Sequence, residues 1–399
     1  MIDRETRPSA HGPGGGGPGP RHRKYGSGPG RRLMIVGLAL VVAVPLAILS
    51  GSYVRALTYP GSASWQDRTV AWVRDHGGGP LVDAVEAWYY SHNQPSATGA
   101  PDQPLPHRTD RSSPHRAGRA QPVTRPVTLP HLPGVRPVPG EATWSPGVRR
   151  VHGRPVLYSS FFRPDPHHTT VVAGAAWMDQ RLVRTTLVAG TVDPGGSGPV
   201  AHAQVPKSAR PSLVAAFNSG FKLKDAHGGF YAGGRTERRL RKGAASLVID
   251  TNGTVRIGSW GRDITWSPRV AAVRQNLRIL VRHGHPVHGL HTNAHGAWGS
   301  VRSQFEYTWR SGIGTDAHGD LIYVAGDGLT LSTLAHAMAD AGIRTGMQLD
   351  IHPDMVTFNM FAPHSGGGLN ARKLLPAMVR PATRYLQPDQ RDFFYVTLR

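Results

Sequence analysis

The chain contains no cysteine among its 399 residues, so disulfide bonds, thiolate metal ligands and cysteine nucleophiles are all excluded. Acidic residues are scarce: 25 Asp and Glu stand against 46 Lys and Arg, which gives a formal net charge of +21. Glycine (49) and proline (34) are abundant, which indicates that part of the chain is not packed in a core. Of this excess, +9 lies in residues 1–150 and +12 in residues 151–399, so it is spread along the chain and says little about an active site.

Long hydrophobic runs are also scarce, and the one that stands out is residues 33–49, which continues without charge to residue 54. Roughly 20 uncharged residues are enough to span a bilayer. Arg55 alone follows the run closely, whereas five basic residues precede it: Arg21, Arg23, Lys24, Arg31 and Arg32. This bias predicts a transmembrane helix at 31–54 with a cytoplasmic N-terminus and an extracellular remainder. A cleaved signal peptide is the alternative, but no small-x-small site follows the run, which favours an uncleaved signal-anchor.

The segments on either side of this run differ in amino-acid composition. Residues 1–30 are mostly glycine, proline and basic residues, which predicts a disordered, basic, cytoplasmic tail. Residues 64–92 predict two short amphipathic helices, with Ser64 as the first N-cap and a glycine turn at 77–80. These helices could pack on each other or on the later domain, which is the simpler interpretation, or lie on the membrane surface. Proline recurs through residues 93–150, which predicts an extended linker.

From residue 151 the pattern becomes strand-like, and residues 151–399 predict a single strand-rich domain of the α+β class. Turn sequences at 250–253 and 316–320 predict hairpins, and residues 330–342 predict one amphipathic helix. Strands are expected at 156–162, 170–177, 182–188, 213–217, 245–249, 255–257 and 321–325.

Charge also bears on partners. A basic, flexible segment beside a membrane attracts anionic lipid or an anionic wall polymer. Nucleic acid is not expected as a partner, because no module that combines aromatic and basic residues occurs.

A few polar residues stand at the ends of apolar runs and are candidates for a site. Asp327 follows one such run and Asp350 another, although Asp327 could instead cap the next helix. Asn218 ends a third run beside Gly220, where a backbone can approach a ligand closely. Arg310 has the planar guanidinium that suits a phosphate.

Asp350, His352 and Asp354 alternate within an otherwise apolar stretch. Two carboxylates and an imidazole at this spacing are able to bind a divalent metal ion, so such an ion is a possible cofactor, although none is certain. Pro353 interrupts the strand geometry that would place them on one face.

Taken in order, these segments resemble the phosphodiester glycosidase family, over roughly residues 156–361. The family's Asn-x-Gly-Phe corresponds to residues 218–221, and its Arg-Thr-Ala-x-Gly runs from Arg310 to Gly314. Its Asp-Gly before a helix corresponds to Asp327 and Gly328, and its Leu-Asp corresponds to residues 349 and 350. The resemblance implies an α+β domain that hydrolyses glycosyl phosphodiesters.

This sequence departs from the family where Leu-Asp is normally followed by Gly-Gly-Gly-Ser, because Ile351, His352, Pro353 and Asp354 stand there instead. Backbone N–H groups cannot approach a substrate in the same way with a proline present. The fold is therefore expected more firmly than the activity.

The first hypothesis is a membrane-anchored extracellular hydrolase that cleaves glycosyl phosphodiester linkages in an anionic wall glycopolymer or glycoconjugate. Cleavage of a glycosidic bond normally takes two carboxyl groups. Asp350 is the expected first carboxyl, Asp327 or Asp354 the second, and His352 an alternative proton donor.

In this hypothesis the substrate is bound by Asn218, Gly220, Arg310 and Gly314, with Arg310 on the phosphate. Asn218, Arg310, Asp327 and Asp350 are then expected to converge on one pocket, with Asp354 or His352 at its rim. Two alternatives stay open: an inactive glycopolymer-binding or envelope-assembly protein that uses the same cleft, and a metal-dependent phosphodiesterase.

Overall fold

The computed structural model describes residues 29–106, 125–195, 202–293, 296–299, 306–364 and 366–399, with side chains from residue 40 onward. The predicted N-terminal tail lies outside the described residues except for its last two positions. The chain forms two compact units, residues 1–55 and residues 56–399.

Four α-helices occur in the described residues: α1 (Pro29–Thr58), α2 (Trp65–Val73), α3 (Gly79–His92) and α4 (Leu331–Asp340). The stretch Leu40–Thr58 of α1 has a mean hydropathy of 1.8 and is long and apolar enough to cross a membrane. Ser64 caps α2 as the sequence predicts, because its hydroxyl accepts a hydrogen bond from Asp67 N while the Asp67 carboxylate accepts one from Ser64 N. The chain then reverses at Gly77, whose φ of 90° suits glycine, and α2 and α3 form a helical hairpin.

Strands dominate the rest of the chain. They are β1 (Ser145–Pro146), β2 (Arg150–Val151), β3 (Arg154–Pro155), β4 (Leu157–Phe162), β5 (Ala173–Met178), β6 (Val183–Val188), β7 (Leu213–Asn218), β8 (Phe230–Ala232), β9 (Arg235–Arg238), β10 (Ala245–Asp250), β11 (Val255–Ser259), β12 (Val270–Gln275), β13 (Ile279–Arg282), β14 (His285–Pro286), β15 (Thr308–Thr315), β16 (Leu321–Leu329), β17 (Thr345–Ile351), β18 (Phe358–Pro363), β19 (Leu369–Lys373) and β20 (Phe393–Leu398). The strand-rich α+β fold expected for the C-terminal domain is thus confirmed.

The described residues form four sheets, of which β2 and β3 make a small two-stranded one and the other three build the core of the domain. The largest has the order β1-β4-β5-β16-β15-β17-β13-β14, and two five-stranded sheets have the orders β11-β10-β12-β8-β9 and β19-β18-β7-β20-β6. A core of buried aliphatic and aromatic side chains drawn from all three joins them, with Phe217, Tyr323 and Phe358 packed ring to ring. Helix α4 buries Leu331, Leu334 and the rest of its apolar face in a second cluster with residues of β5, β13 and β16.

The predicted linker is not a free spacer where the structure describes it, at residues 93–106 and 125–150. Leu129 and Leu132 are buried, and Glu141 is buried in an ion pair with Arg163 at 2.9 Å. The backbone of Thr169 donates to Ala97 O at 3.1 Å. These residues belong to the same compact unit as the strands and the helical hairpin, because proline restricts the backbone without preventing its neighbours from burying apolar surface.

Candidate active site

A cavity of about 690 Å³ lies between the helical hairpin and the ends of several strands. Its described lining takes polar residues from both sides: from the hairpin Asp67, Arg74, Asp83, Glu86 and Tyr90, and from the strand domain Lys222, Lys224, Glu306, Asp350, His352, Asp354 and Arg391. This cavity is the candidate active site.

Asp350 reaches the cavity because β17 ends beside it. Its backbone N–H donates to Ser219 O at 2.9 Å, and its carbonyl accepts from the Ser311 hydroxyl at 2.7 Å. Strands β15 and β17 and the segment after β7 therefore fix its backbone from three sides. The residue is only 7% exposed, so its carboxyl is held at a rigid, almost buried position on the cavity wall.

The Asp350 carboxyl is paired with Arg391, whose Nη2 lies 3.0 Å from Oδ2. Burial raises the pKa of Asp350 to about 6, and the Arg391 guanidinium limits that rise. Arg391 Nη2 also donates to Gly220 O at 2.9 Å. A carboxyl that titrates near neutrality is suited to proton transfer or to nucleophilic attack.

Asn218 serves as a buried support behind Asp350. Its Oδ1 accepts from Tyr323 OH at 2.8 Å and from Thr357 N at 3.0 Å, and its Nδ2 donates to Ser311 Oγ at 3.0 Å. Ser311 in turn holds the Asp350 carbonyl. Protein partners thus occupy both the oxygen and the nitrogen of Asn218, and its contact with a sugar remains a prediction that these hydrogen bonds do not support.

His352 follows the end of β17 and lines the cavity. Its φ of 77° is the left-handed conformation that glycine adopts most easily, so a glycine at the matching position of the family motif has a backbone reason. Burial lowers the pKa of His352 to about 3, helped by the nearby charge of Arg74. The imidazole is therefore neutral at pH 7, and its 4.0 Å approach to Glu86 is a polar contact rather than an ion pair.

Asp354 lies two residues further on and forms a carboxyl–carboxyl hydrogen bond with Asp67 of α2. Burial and the neighbouring Asp67 raise the pKa of Asp354 to about 7. At pH values below about 7 the pair holds one proton between the two carboxyls, because two close carboxylates repel each other.

Arg310 does not reach the cavity. Its side chain is fully buried in β15, where Nε donates to Leu329 O at 2.7 Å and Nη2 donates to Glu306 O at 3.1 Å. Nε and Nη2 are thus turned toward backbone carbonyls, and phosphate binding by Arg310 remains a prediction.

Asp327 is also outside the described lining of the cavity. It lies exposed on β16, accepts a hydrogen bond from Gly328 N at 2.8 Å and does not cap α4, whose N-cap is Thr330. Of the four residues expected to converge on one pocket, Asp350 is in the described lining of the cavity, and Asn218, Arg310 and Asp327 lie outside that lining. The proposed rim residues Asp354 and His352 do line it.

Gly220 and Gly314, both predicted from the sequence to bind substrate, are closely packed against protein side chains. A Cβ on Gly314 would lie 2.1 Å from the side chain of Ile343, so this glycine lets β15 approach the core. A Cβ on Gly220 would lie 2.9 Å from Asn276, while its carbonyl binds Arg391. The close backbone approach expected at Gly220 exists, but its partners in the structure are protein side chains.

Among the described residues, no group of three or more His, Cys, Asp or Glu side chains is arranged to hold a metal ion. Asp350 pairs with Arg391 and Asp354 pairs with Asp67, so the two carboxyls of the alternating stretch point to different partners. A metal site at Asp350, His352 and Asp354 remains a prediction.

The sequence did not single out Arg391 or Glu86, although both line the cavity. Arg391 precedes the last strand, about 40 residues from Asp350, and no local motif marks it. Glu86 lies on α3 and contacts Arg74 at 2.6 Å. Nothing in the sequence of the two helices before the proline-rich segment indicates that they will line a cavity.

Part of the strand domain matches the sequence model of a known protein family. Residues 212–350 match the sequence model of the family described as phosphodiester glycosidase. No curated protein matches the chain.

Solved structures give further similarities. The zebrafish N-acetylglucosamine-1-phosphodiester alpha-N-acetylglucosaminidase catalytic domain, auto-inhibited by its pro-peptide, is 18% identical with a TM-score of 0.41, over 64% of this chain and 87% of that one. A hypothetical protein from Synechocystis is 13% identical with a TM-score of 0.37, over 64% of each chain. A putative exported protein from Burkholderia pseudomallei is 11% identical with a TM-score of 0.29, over 59% of this chain and 75% of that one.

The matched segment runs from just before β7 to Asp350, and so contains Asn218, Arg310, Asp327 and the first carboxyl of the cavity. The resemblance drawn from the motifs is confirmed there: residues 212–350 match the phosphodiester glycosidase family, and this match supports hydrolysis of phosphodiester-linked sugars as the class of activity.

Proposed function

We propose that the protein is a membrane-anchored extracellular hydrolase that cleaves glycosyl phosphodiester linkages in an anionic wall glycopolymer or glycoconjugate. The observation that carries the proposal is Asp350, a nearly buried carboxyl with a pKa of about 6 on the wall of a cavity of about 690 Å³. It is the last residue of the segment that matches the phosphodiester glycosidase family.

Two carboxyls in the cavity fit the two roles that glycoside hydrolysis requires. The pKa of Asp350 is raised to about 6 beside Arg391, and that of Asp354 is raised further, to about 7, beside Asp67, so Asp354 is the carboxyl that keeps its proton to the higher pH. Asp350 is therefore the proposed nucleophile or base, and Asp354 the proposed acid. Environments that push two pKa values apart are the usual basis for such an assignment.

The phosphate needs cations, and Lys222, Lys224 and Arg391 line the cavity. In the structure both lysines contact Asp75 of the hairpin, at 3.0 Å and 2.9 Å. A substrate phosphate would bind in place of that exposed carboxylate at little cost, because exposed ion pairs contribute little to stability. Lys222, Lys224 and Arg391 are therefore the proposed phosphate ligands, a role that the sequence had predicted for Arg310.

The extracellular placement rests on the chain's N-terminal part. Helix α1 contains a stretch long and apolar enough to cross a membrane, and the basic residues cluster ahead of it. Residues 56–399, the part expected outside the cell, carry 38 Lys and Arg against 23 Asp and Glu, and this net charge of +15 favours an anionic polymer as the partner.

The test is release of free sugar from a panel of sugar 1-phosphodiesters by the detergent-solubilised full chain. Asp350→Asn is expected to lower kcat/KM by about 100-fold or more, because the amide can neither accept a proton nor attack. Asp102→Asn is the matched control: Asp102 is exposed outside the described cavity lining, so its activity should equal that of the parent.

Other outcomes separate the alternatives. If no phosphodiester is hydrolysed but the chain is retained on an anionic glycopolymer, the protein binds without catalysis. If chelator abolishes hydrolysis and a divalent ion restores it, the reaction is metal-dependent. If Asp350→Asn hydrolyses as fast as Asp102→Asn, the assignment of Asp350 is wrong.

A further inference from the structure

Helix α3 has an inverted arrangement of its two faces. Leu81, Val85 and Trp88 are exposed, although their spacing puts them on one apolar stripe. Glu86 and Tyr90 belong to the opposite stripe and line the cavity. In a helix that packs on a soluble domain the apolar stripe normally turns inward, so the outward stripe of α3 requires a separate explanation.

Other large side chains of the hairpin are exposed beside those of the stripe. Tyr89 of α3 and Trp65, the first residue of α2, are exposed as well. We call Trp65, Leu81, Val85, Trp88 and Tyr89 the hairpin face; their exposed fractions run from 53% at Tyr89 to 66% at Leu81. Three of the five are tryptophan or tyrosine, the side chains enriched where a bilayer meets water.

The hairpin is tied directly to the end of α1. The guanidinium of Arg68, on α2, donates to the carbonyls of Leu57 at 3.1 Å and Gly61 at 2.8 Å, and also to Tyr59 O. Arg68 is itself only 9% exposed. A cation at these carbonyls satisfies acceptors that the end of a helix leaves open, so it fixes the hairpin against the segment that leaves α1.

Chain length adds a second limit. The membrane-length stretch of α1 ends at Thr58 and α2 begins at Trp65, so six residues connect them. Six residues reach about 20 Å at most. If α1 crosses a bilayer, the hairpin cannot lie further than that from the point where the chain leaves it.

We propose that the hairpin face docks into the headgroup region of the bilayer that holds α1. This inference rests on the membrane anchoring in the proposed function and does not depend on the hydrolytic activity. Because the opposite side of α3 lines the cavity, docking would hold the cavity at the membrane surface. Glycosyl phosphodiesters attached to, or close to, the outer leaflet would then be the accessible substrates.

Single cysteines test this directly, because the native chain has none. Leu81→Cys and Trp88→Cys report on the hairpin face, Ile48→Cys on α1, and Trp266→Cys is the exposed control on the strand domain. Each full-length variant is labelled with an environment-sensitive fluorophore and reconstituted in vesicles of phosphatidylcholine and phosphatidylglycerol. Quenching by lipids with a nitroxide at the headgroup or at the acyl-chain end then measures depth.

Labels at 81 and 88 are expected to be quenched more by the headgroup nitroxide than by the acyl-chain nitroxide. The label at 48 should show the reverse, and the label at 266 neither. If the labels at positions 81 and 88 are quenched no more than the label at 266 while the label at 48 is quenched, the docking inference is wrong and the membrane anchoring by α1 is supported. If 48 is unquenched as well, anchoring and docking both fail. If 81 and 88 are shielded from lipid and from aqueous iodide alike, protein covers the face, which also overturns the inference.

Discussion

Arg391 and Arg310 are two nearly or fully buried arginines close to the end of β17, yet they have opposite partners. Arg391 faces the carboxylate of Asp350, which raises the pKa of Arg391 even though burial opposes that rise. Arg310 faces backbone carbonyls, and burial lowers its pKa to about 10. The first arginine thus holds a charge at the cavity, and the second holds strands together. A guanidinium beside glycines in the sequence does not reveal which of these it will do.

The largest effect is expected for Arg391→Ala, which tests whether Arg391 controls the charge of Asp350. Without the guanidinium, the pKa of Asp350 should rise above about 6, since the ion pair with Arg391 is lost and Arg274 lowers this pKa less. Whether Asp350 acts as base or acid, the limb of the pH–rate profile that reports it moves to higher pH. We also expect kcat/KM to fall by about 100-fold near pH 6.5. Breaking the buried pair should lower the free energy of unfolding by about 3–5 kcal/mol.

Arg391→Lys is the matched control, because it keeps the charge and loses only the guanidinium geometry. Its limb should stay close to that of the parent. A pH–rate profile of Arg391→Ala that is superimposable on the parent would show that Asp350 does not control the rate.

A smaller effect of a different kind is expected for Arg310→Met. The substitution fills a similar volume but leaves Leu329 O and Glu306 O without their donor, so the free energy of unfolding should fall by about 2 kcal/mol. Thermal unfolding measures this, and KM for the phosphodiester should change less than it does in Arg391→Ala. A raised KM with an unchanged Tm would instead restore Arg310 to phosphate binding, as the sequence predicted.

The strands were predictable because their signals are local. Apolar runs bounded by turn residues mark β7, β10 and β16, and the turn at 250–253 joins β10 to β11 as expected. Helix α4 follows from the 3.6-residue periodicity of Leu331, Leu334 and Met338. In each case the residues that decide the structure lie within a few positions of one another.

The site was only partly predictable because its contacts are not local. Asp350 could be found from its place at the end of a strand, and His352 and Asp354 from their alternation with it. The partners of the two carboxyls could not: Arg391 is about 40 residues from Asp350, and Asp67 comes from a helix nearly 290 residues before Asp354. Composition also misled the reading of residues 93–150, since proline content describes backbone stiffness and not whether Leu129 finds a core.

Asp354 differs from Asp350 in its partner, because its side chain is hydrogen-bonded to the carboxyl of Asp67 and not paired with a guanidinium. It gives the smallest of the expected effects. Because the folded-state pKa of Asp354 is raised to about 7, its protonated form stabilises the fold at low pH. That contribution is fully present below the unfolded value near 4 and is lost as the pH rises to about 7.

Asp67→Asn removes the neighbouring negative charge, so the pKa of Asp354 should fall and this pH-dependent loss should shrink. The variant also loses the ion pair between Asp67 and Arg380 and the carboxylate of the capping box of α2, and this cost is present throughout the range. Relative to the parent, its Tm should therefore recover steadily between pH 4 and pH 7. A difference in Tm that stays constant over that range would show that Asp67 and Asp354 do not share a proton, and the assignment of Asp354 as the acid would fall with it.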